Sequence, residues 1–262
     1  MSRTTLLQSL LVEQPKISLI MPAYQLADKI EASIFHAKQM LEQLMQNYEV
    51  IVVDDGSVDA TYENASRLSD DRVKVIRNSK NQGKGYSFKR GIEESTGAYV
   101  ILSDADMDVN PSKIALYLEA LKKHDIVVAS KRLPSSSYSA PLVRKFLSAS
   151  FNALVDVMMG LRISDTQTGL KAFRSDAIKR IMQFVSVKRY AFDVEVLVVG
   201  KLLGYGTIEL PVSVSLSKRF SLRNVMYMLI DLLGIFYRYR IIRWYQKNLS
   251  TATPTYKPIV RI

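Results

Sequence analysis

The stretch Tyr99-Val-Ile-Leu-Ser-Asp104-Ala105-Asp106-Met107-Asp108 constrains this chain more than any other. An apolar run of strand character stops abruptly in three carboxylates at alternating positions. Like charges a few ångström apart repel, so such a cluster just past a strand's carboxyl end is costly without a cation nearby. Hard oxygen ligands suit Mg²⁺ or Mn²⁺, which commonly accompany a substrate phosphate. The pattern points to nucleotide chemistry. The plainer alternative is a loop of solvated acids capping the helix that Pro111 opens.

The rest of the first half gives that strand a setting. Residues 16–21 read as an apolar strand followed by the turn Pro22-Ala23-Tyr24. A helix is expected over 28–46, with Ile30, Ile34, Ala37, Leu41 and Leu44 on one face. Residues 49–53 form a second strand ending in Asp54-Asp55-Gly56-Ser57, and Asp59 suits the cap of a helix reaching about 68. A strand at 73–76, a glycine-containing loop at 78–85, a helix to 94, the strand 98–103 and another at 125–130 complete the series. This βαβαβ alternation predicts an α/β fold with a doubly wound, mostly parallel, Rossmann-like sheet. Ligands of such sheets bind at the carboxyl ends of the strands, where the three polar clusters fall. The second half is less regular. It offers a helix at 142–159, a polar loop Ser164-Asp-Thr-Gln-Thr-Gly169, helices from Ser175 and over 193–203, a strand at 207–214 and a long basic-aromatic helix at 221–247.

Composition narrows the chemistry. The 262 residues include no cysteine, which excludes disulfides and thiolate metal sites. The two histidines, His36 and His124, are far apart, which argues against a His-rich zinc site or a Ser-His-Asp triad. The net charge is +11, and nine basic residues against the single Asp231 place +8 of it after Ser217. Nucleic acid, an anionic membrane and a phosphorylated substrate all qualify as partners. Within that end, Tyr237-Arg-Tyr-Arg-Ile-Ile-Arg-Trp244-Tyr245 interleaves rings and cations, as suits a membrane interface. The run before it, 225–237, is apolar nearly all round; a buried core helix is the alternative. Single-stranded RNA also fits this composition, but the acidic strand-end cluster argues against nucleic acid as the primary ligand. At ~1.5 Å per residue the run reaches roughly 20 Å, short of a ~30 Å hydrocarbon core, so no transmembrane span is expected. Residues 6–12 read as a surface helix rather than a secretory signal.

Other groups carry two readings each. A carboxylate at Asp54 or Asp55 can accept hydrogen bonds from a base imide or ribose hydroxyls, or serve an Asx turn and helix cap. Asn81-Gln-Gly-Lys84-Gly85 is half of a phosphate loop, with Lys84 placed to face a phosphate, or a plain turn. Lys131, Arg132 and Arg144 flank a Pro/Ser-rich loop at 133–141, either gripping a phosphorylated acceptor or lying in solvent.

Taken in order, Leu19-Ile-Met-Pro-Ala-Tyr24, Val52-Val-Asp-Asp-Gly-Ser57, Asn81-Gln-Gly-Lys-Gly85, Leu102-Ser-Asp-Ala-Asp106, Ser130-Lys-Arg132, Ser164-Asp-Thr-Gln-Thr-Gly-Leu-Lys-Ala-Phe173 and Phe192-Asp-Val-Glu195 resemble the family-2 glycosyltransferases. Within them the chain looks like the dolichyl-phosphate (polyprenyl-phosphate) hexose synthases. The resemblance implies a GT-A domain over 1–220, with a membrane-interface helix and basic tail over 221–262. It implies a metal-dependent, inverting transfer of a hexose from a nucleoside diphosphate sugar, UDP- or GDP-linked, to a polyprenyl phosphate. Pro22, Tyr24 and Asp55 match the positions that hold the nucleoside, and Ala23, Asp54, Lys84 and Ala105 are expected to bind substrate beside them. Asp104 and Asp106 match the Asp-x-Asp motif, with Asp106 also at the reacting centre. Asp108 falls where members of this branch often place a further metal ligand, Gln. Arg132 and Arg144 match acceptor-side arginines, and Lys218 or Arg219 is placed to close over the diphosphate. Gln25-Leu26 departs from the usual Asn-Glu. Many relatives continue into transmembrane helices, whereas no span is expected in this sequence; the expectation is therefore a peripheral enzyme at the cytoplasmic face of a membrane, or one held by a separate membrane protein. Two other functions remain open at this point: transfer to a saccharide, which would need a base such as Asp106 or Asp165, and a non-catalytic nucleotide-sugar or nucleic-acid binding module.

Overall fold

The computed structural model describes residues 15–44, 47–105, 114–215 and 222–251. Asp106, Asp108, Lys218 and Arg219 lie outside the described residues, as do Pro111 and the 6–12 segment. In chain order the first elements are β1 (Ile17–Ala23), α1 (Ile30–Leu44), β2 (Tyr48–Asp54), α2 (Thr61–Ser66), β3 (Val73–Arg77), α3 (Lys84–Glu94), β4 (Tyr99–Leu102) and α4 (Ile114–Leu121). There follow β5 (Ile126–Ser130), β6 (Ser137–Ser139), α5 (Leu142–Met159), β7 (Lys171–Arg174), α6 (Ser175–Met182), α7 (Phe192–Leu202), β8 (Thr207–Pro211) and β9 (Ser213–Ser215). The chain then runs through α8 (Leu222–Phe236), a π-helical segment (Tyr237–Ile241) and α9 (Trp244–Thr251).

Among the described residues, seven strands form one sheet in the order β3-β2-β1-β4-β7-β5-β8, and β6 and β9 pair separately. The large sheet is parallel except for β7, which runs antiparallel to both β4 and β5. Its strands are apolar on both faces because both faces are covered. Ile17, Leu19 and Met21 of β1, Val50 and Val52 of β2, and Ile101 of β4 pack with Ile34, Leu41 and Tyr117 of α1 and α4. The intervening Ile20, Ile51, Val53, Val100 and Leu102 pack on the other side with Phe88 of α3, Ile178 of α6 and Val199 of α7. Each fully buried aliphatic side chain contributes ~1.5–3 kcal/mol, so a one-residue slip of any central strand would forfeit many such contacts together.

The expected mostly parallel sheet is present, with β7 as its antiparallel strand. Two other expectations are corrected. The strand expected over 207–214 divides: Pro211, which has no N–H for the ladder, ends β8, and Ser213–Ser215 turn away to pair with β6. The single helix expected over 221–247 also breaks. After the π-helical segment Arg243 adopts φ +52°, and α9 turns back so that Tyr245 is fully buried. The reason lies in Glu195 of α7, which receives hydrogen bonds from both Arg238 (3.1 Å) and Tyr245 (2.5 Å). Leu232, Ile235, Tyr239 and Tyr245 thereby join the same core as α6 and α7. No helix among the described residues is long and apolar enough to cross a membrane.

Candidate active site

The chain lays β2 and β3 on one side of β1 and then crosses to β4 on the other. The carboxyl ends of β1 and β4 are therefore the switch point, where sheets of this type open a crevice for ligands. A cleft of about 730 Å³ lies there. Pro22, Ala23 and Tyr24 line it from β1, Asp55 from β2, Asn81, Gly83 and Lys84 from the start of α3, and Asp104 and Ala105 from β4. Leu26 lines it too, with Arg189 and Tyr190 from the loop before α7 and Tyr227 from α8.

Asp55 organises this floor. Its carboxylate accepts hydrogen bonds from the Asn78 side chain (2.7 Å) and from the backbone N–H groups of Gln82 (3.0 Å) and Gly83 (2.8 Å). The glycine at 83 is required twice over. Its φ of +102° is strained for other residues, and a Cβ would lie 2.5 Å from the Lys188 carbonyl oxygen. Asp54 plays a different part. It is fully buried beneath the turn, accepts the Ser57 N–H and pairs with Arg77 at 3.3 Å. Burial pushes its carboxyl up, partly offset by Ser57 and Arg77. Asp54 does not line the cleft; it shapes the turn that presents Asp55.

Across the floor, Lys84 Nζ meets Asp104 Oδ1 at 2.5 Å, both side chains about three-quarters buried. Ala105 beside it is anchored by its carbonyl, which accepts the Ser33 hydroxyl of α1 at 2.6 Å. Gly169 closes on Asp104 from the far side, and a Cβ there would overlap the Asp104 carboxylate. The polar loop 164–169 is thus fitted against the acid at the end of β4. Among the described residues no three His, Cys, Asp or Glu side chains gather as metal ligands. Asp104 is the described member of the acidic trio, and its carboxylate at the cleft is a hard oxygen donor of the kind Mg²⁺ or Mn²⁺ takes.

That loop is held by buried polar contacts. Asp165 pairs with Lys131 at 2.8 Å and also accepts the Thr168 hydroxyl and the Gln167 N–H. Burial works against the Asp165 charge, but Lys131 and Thr168 more than offset it and hold the carboxyl below its ordinary value. Asn152 of α5 donates to the Ser164 carbonyl and accepts from Thr166, and Glu209 of β8 accepts the Ser164 N–H and hydroxyl. Lys171 bridges the Thr168 carbonyl (2.7 Å) and Asp193 (2.6 Å). Lys131 is therefore a buried structural cation, not a surface one.

Arg132 and Arg144 lie elsewhere. Arg132 is exposed and donates to Ser148 of α5 at 3.4 Å. Ser148 stands one helical turn after Arg144, so the two arginines share a side of α5. Neither lines the cleft. Arg189, Tyr190 and Tyr227 do line it, and sequence reasoning did not single them out. The Arg189 guanidinium lies 4.6 Å from the centre of the Tyr227 ring, a cation–π contact joining the 186–191 loop to α8. The signal was a basic-aromatic pair just ahead of Phe192-Asp-Val-Glu195.

Comparison with known proteins agrees with this geometry. The chain is 28% identical over 254 residues to a dolichyl-phosphate beta-glucosyltransferase of Dictyostelium discoideum, covering 88% of this chain and 77% of that one. It is 29% identical over 259 residues to the dolichyl-phosphate beta-glucosyltransferase of Mus musculus, covering 91% and 80%. The glucosyl-3-phosphoglycerate synthase of Mycobacterium tuberculosis, crystallised with Mn²⁺, UDP and glucosyl-3-phosphoglycerate, superimposes with a TM-score of 0.62 at 17% identity, covering 85% of this chain and 79% of that one. The fold is thus GT-A. The model of glycosyl transferase family 2 matches residues 18–182, and the chain belongs to that family.

Proposed function

We propose that this glycosyltransferase moves a hexose from a nucleoside diphosphate sugar to a polyprenyl phosphate at a membrane surface, with inversion at the anomeric carbon. The observation that carries the reading is the convergence of Asp55, Lys84, Asp104 and Arg189 on one cleft at the β1/β4 switch point. The dolichyl-phosphate relatives support the acceptor, and the UDP- and Mn²⁺-bound structural neighbour supports the donor class and a divalent cation.

A phosphate monoester is mostly dianionic near neutral pH, its second pKa being about 6, so it attacks without help from a strong base. The protein's task is to hold that oxygen opposite the leaving diphosphate. Pro22, Ala23 and Tyr24 form the wall against which the nucleoside lies, and Asp55 fixes the loop beneath it. Lys84 and Arg189 offer positive charge to the diphosphate as the sugar–phosphate bond breaks. When bound, a divalent cation held by Asp104, Asp106 and Asp108 supplies further charge stabilisation for the leaving group. Lys218 or Arg219 closes over the diphosphate, while Arg132 and Arg144 receive the acceptor on the α5 side. Transfer to a sugar hydroxyl would need a base. Asp165 is unsuited to that role, because its carboxylate is buried and already paired with Lys131. We place the enzyme peripherally at the cytoplasmic face.

The test is a donor screen of UDP- and GDP-sugars with a short polyprenyl phosphate and Mg²⁺ or Mn²⁺. One donor giving a lipid-linked hexose of inverted configuration is expected. Transfer only to oligosaccharides, or no donor consumption at all, overturns the reading.

A further inference from the structure

Lys171 opens β7 in the middle of the sheet, between β4 and β5. Its register partners are Leu102 and Val128, and Phe173 follows on the same face two residues later. Those three belong to the apolar core beneath α6 and α7. Lys171 stands among them only 1% exposed. Taking an ammonium and a carboxylate out of water can cost more than their attraction returns, and apolar residues of similar volume often hold such a place at least as well. A fold that needed only stability here would use another aliphatic side chain.

The contacts of the lysine explain its presence. Nζ donates to the Thr168 carbonyl at 2.7 Å and to Asp193 Oδ1 at 2.6 Å. The Thr168 carbonyl belongs to the peptide group that leads into Gly169, the residue pressed against the Asp104 carboxylate. Thr168 is gripped through its side chain as well, its hydroxyl donating to Asp165. The wall behind Asp104 is thereby fixed to Lys171.

Asp193 carries the connection to the opposite wall. It is the second residue of α7, next to Phe192. The Phe192 ring stacks on Phe88 of α3 with centroids 5.8 Å apart. Phe192 also fills the space beside Gly85, where an added Cβ would come within 2.6 Å of Phe192 Cβ. Gly85 follows Lys84 directly. The Phe192 N–H donates to the Arg189 carbonyl at 3.3 Å, so the turn that carries Arg189 and Tyr190 into the cleft closes on the same residue. One buried ion pair therefore runs from behind Asp104 to behind Lys84 and Arg189.

We propose that Lys171 and Asp193 are positioning residues for transfer, their pair setting how the Asp104 wall stands relative to the Lys84–Arg189 wall. Neither side chain lines the cleft, so both act through the residues that do. The role deepens, and rests on, the reading of this cleft as the site of a nucleoside diphosphate sugar.

The experiment compares the full chain with Lys171→Met, the apolar pair Lys171→Met/Asp193→Leu, Asp193→Asn and Ile178→Ala. The last is a truncation of a buried residue on α6 and controls for lost stability. Melting temperature is read beside Mn²⁺ affinity in the presence of UDP or GDP, by electron paramagnetic resonance, and beside donor and acceptor kinetics. Lys171→Met should melt early, because Asp193 is left buried without its partner. The apolar pair should recover the wild-type melting temperature but not the site. Its Mn²⁺–nucleotide binding should be weaker, and its donor kcat/KM lower by up to about a hundredfold, the scale of a small misplacement of reacting groups. Acceptor KM should not move. Asp193→Asn keeps an oxygen for Nζ and should stay near wild type in both readouts.

An apolar pair with wild-type melting, nucleotide binding and turnover overturns the proposal. So does an Asp193→Asn enzyme as impaired as that pair, which would make the charge rather than the contact responsible. A loss in Lys171→Met no larger than in Ile178→Ala, or failure of both Lys171 variants to fold, would reduce the ion pair to an element of stability and overturn it too. Variant-sensitive Mn²⁺–nucleotide binding in an enzyme that glycosylates no polyprenyl phosphate would leave the positioning role standing while the acceptor reading fell.

Discussion

Lys84 and Asp104 stand 2.5 Å apart across the floor of the cleft, one at the first position of α3 and the other just past β4. A lysine in this place both neutralises the acid and competes with any cation the acid would hold. Lys84→Met should therefore act in opposite directions on two measurements. Mn²⁺ affinity without donor, read by electron paramagnetic resonance, should rise, because a like charge has gone and Asp104 is released. Transfer should fall by about 10²–10³, the usual effect of deleting one donor to a developing oxyanion. Weaker Mn²⁺ binding in the variant would mean that Lys84 supports the cation instead.

Gly169 offers a sharper probe of Asp104, since a methyl group there would overlap the carboxylate. Gly169→Ala should displace Asp104 and reduce kcat/KM more than tenfold. The strain of added volume in a packed site is about 1–3 kcal/mol, so the fold should survive. A variant that melts early but retains wild-type kcat/KM would show that Asp104 tolerates the shift.

Much of this architecture was legible in the sequence because the determinants are local. β1, β2 and β4 announce themselves by short apolar runs that end in polar clusters. α5 appears at its expected bounds because Pro141 stands before it and Gly160, at φ +62°, ends it. β7 could not be read as antiparallel, since its direction depends on partners more than forty residues away in β4 and β5. The break at Arg243 has no proline or glycine beside it; it answers to Glu195, a tertiary contact. The same holds for the site. The ends of β1, β2 and β4 were visible as motifs, whereas Arg189, Tyr190 and Tyr227 reach the cleft only because α7 and α8 fold over it.

The Lys131–Asp165 pair underwrites the 164–169 loop, with side chains only 6% and 2% exposed. Lys131→Met leaves an uncompensated buried carboxylate and should cost about 3–5 kcal/mol of stability. The pH dependence follows from the Asp165 carboxyl, which is held below its ordinary value in the fold. Its contribution is present above the unfolded-state value of about 3.9 and is lost as pH falls through the lower folded value. Urea titrations at neutral pH and on the acid side of that window should show the wild-type advantage over Lys131→Met shrinking only in acid. An equal gap across the whole range would exclude this ionisation as the source.

Glu195 joins the C-terminal helices to the cleft. It is fully buried and accepts from the Ser186 N–H (2.9 Å) and hydroxyl (3.0 Å), the Val187 N–H (2.6 Å), Arg238 (3.1 Å) and Tyr245 (2.5 Å). Residues 186–187 lead directly into Arg189 and Tyr190 at the cleft wall. Glu195→Gln keeps the volume but removes the charge and turns one acceptor into a donor facing other donors. The expected loss is about 2–3 kcal/mol, with a raised donor KM because the loop is no longer fixed. Tyr245→Phe removes one donor to the carboxylate and one acceptor for Arg238 Nε, at a cost of about 1.5–3 kcal/mol, but it leaves the Ser186 and Val187 contacts in place, so KM should stay near wild type. Chemical denaturation and steady-state kinetics on both variants separate the two effects. If Glu195→Gln lowered stability but left KM untouched, the cleft wall would be set by the Arg189–Tyr227 contact alone rather than by the carboxylate beneath it.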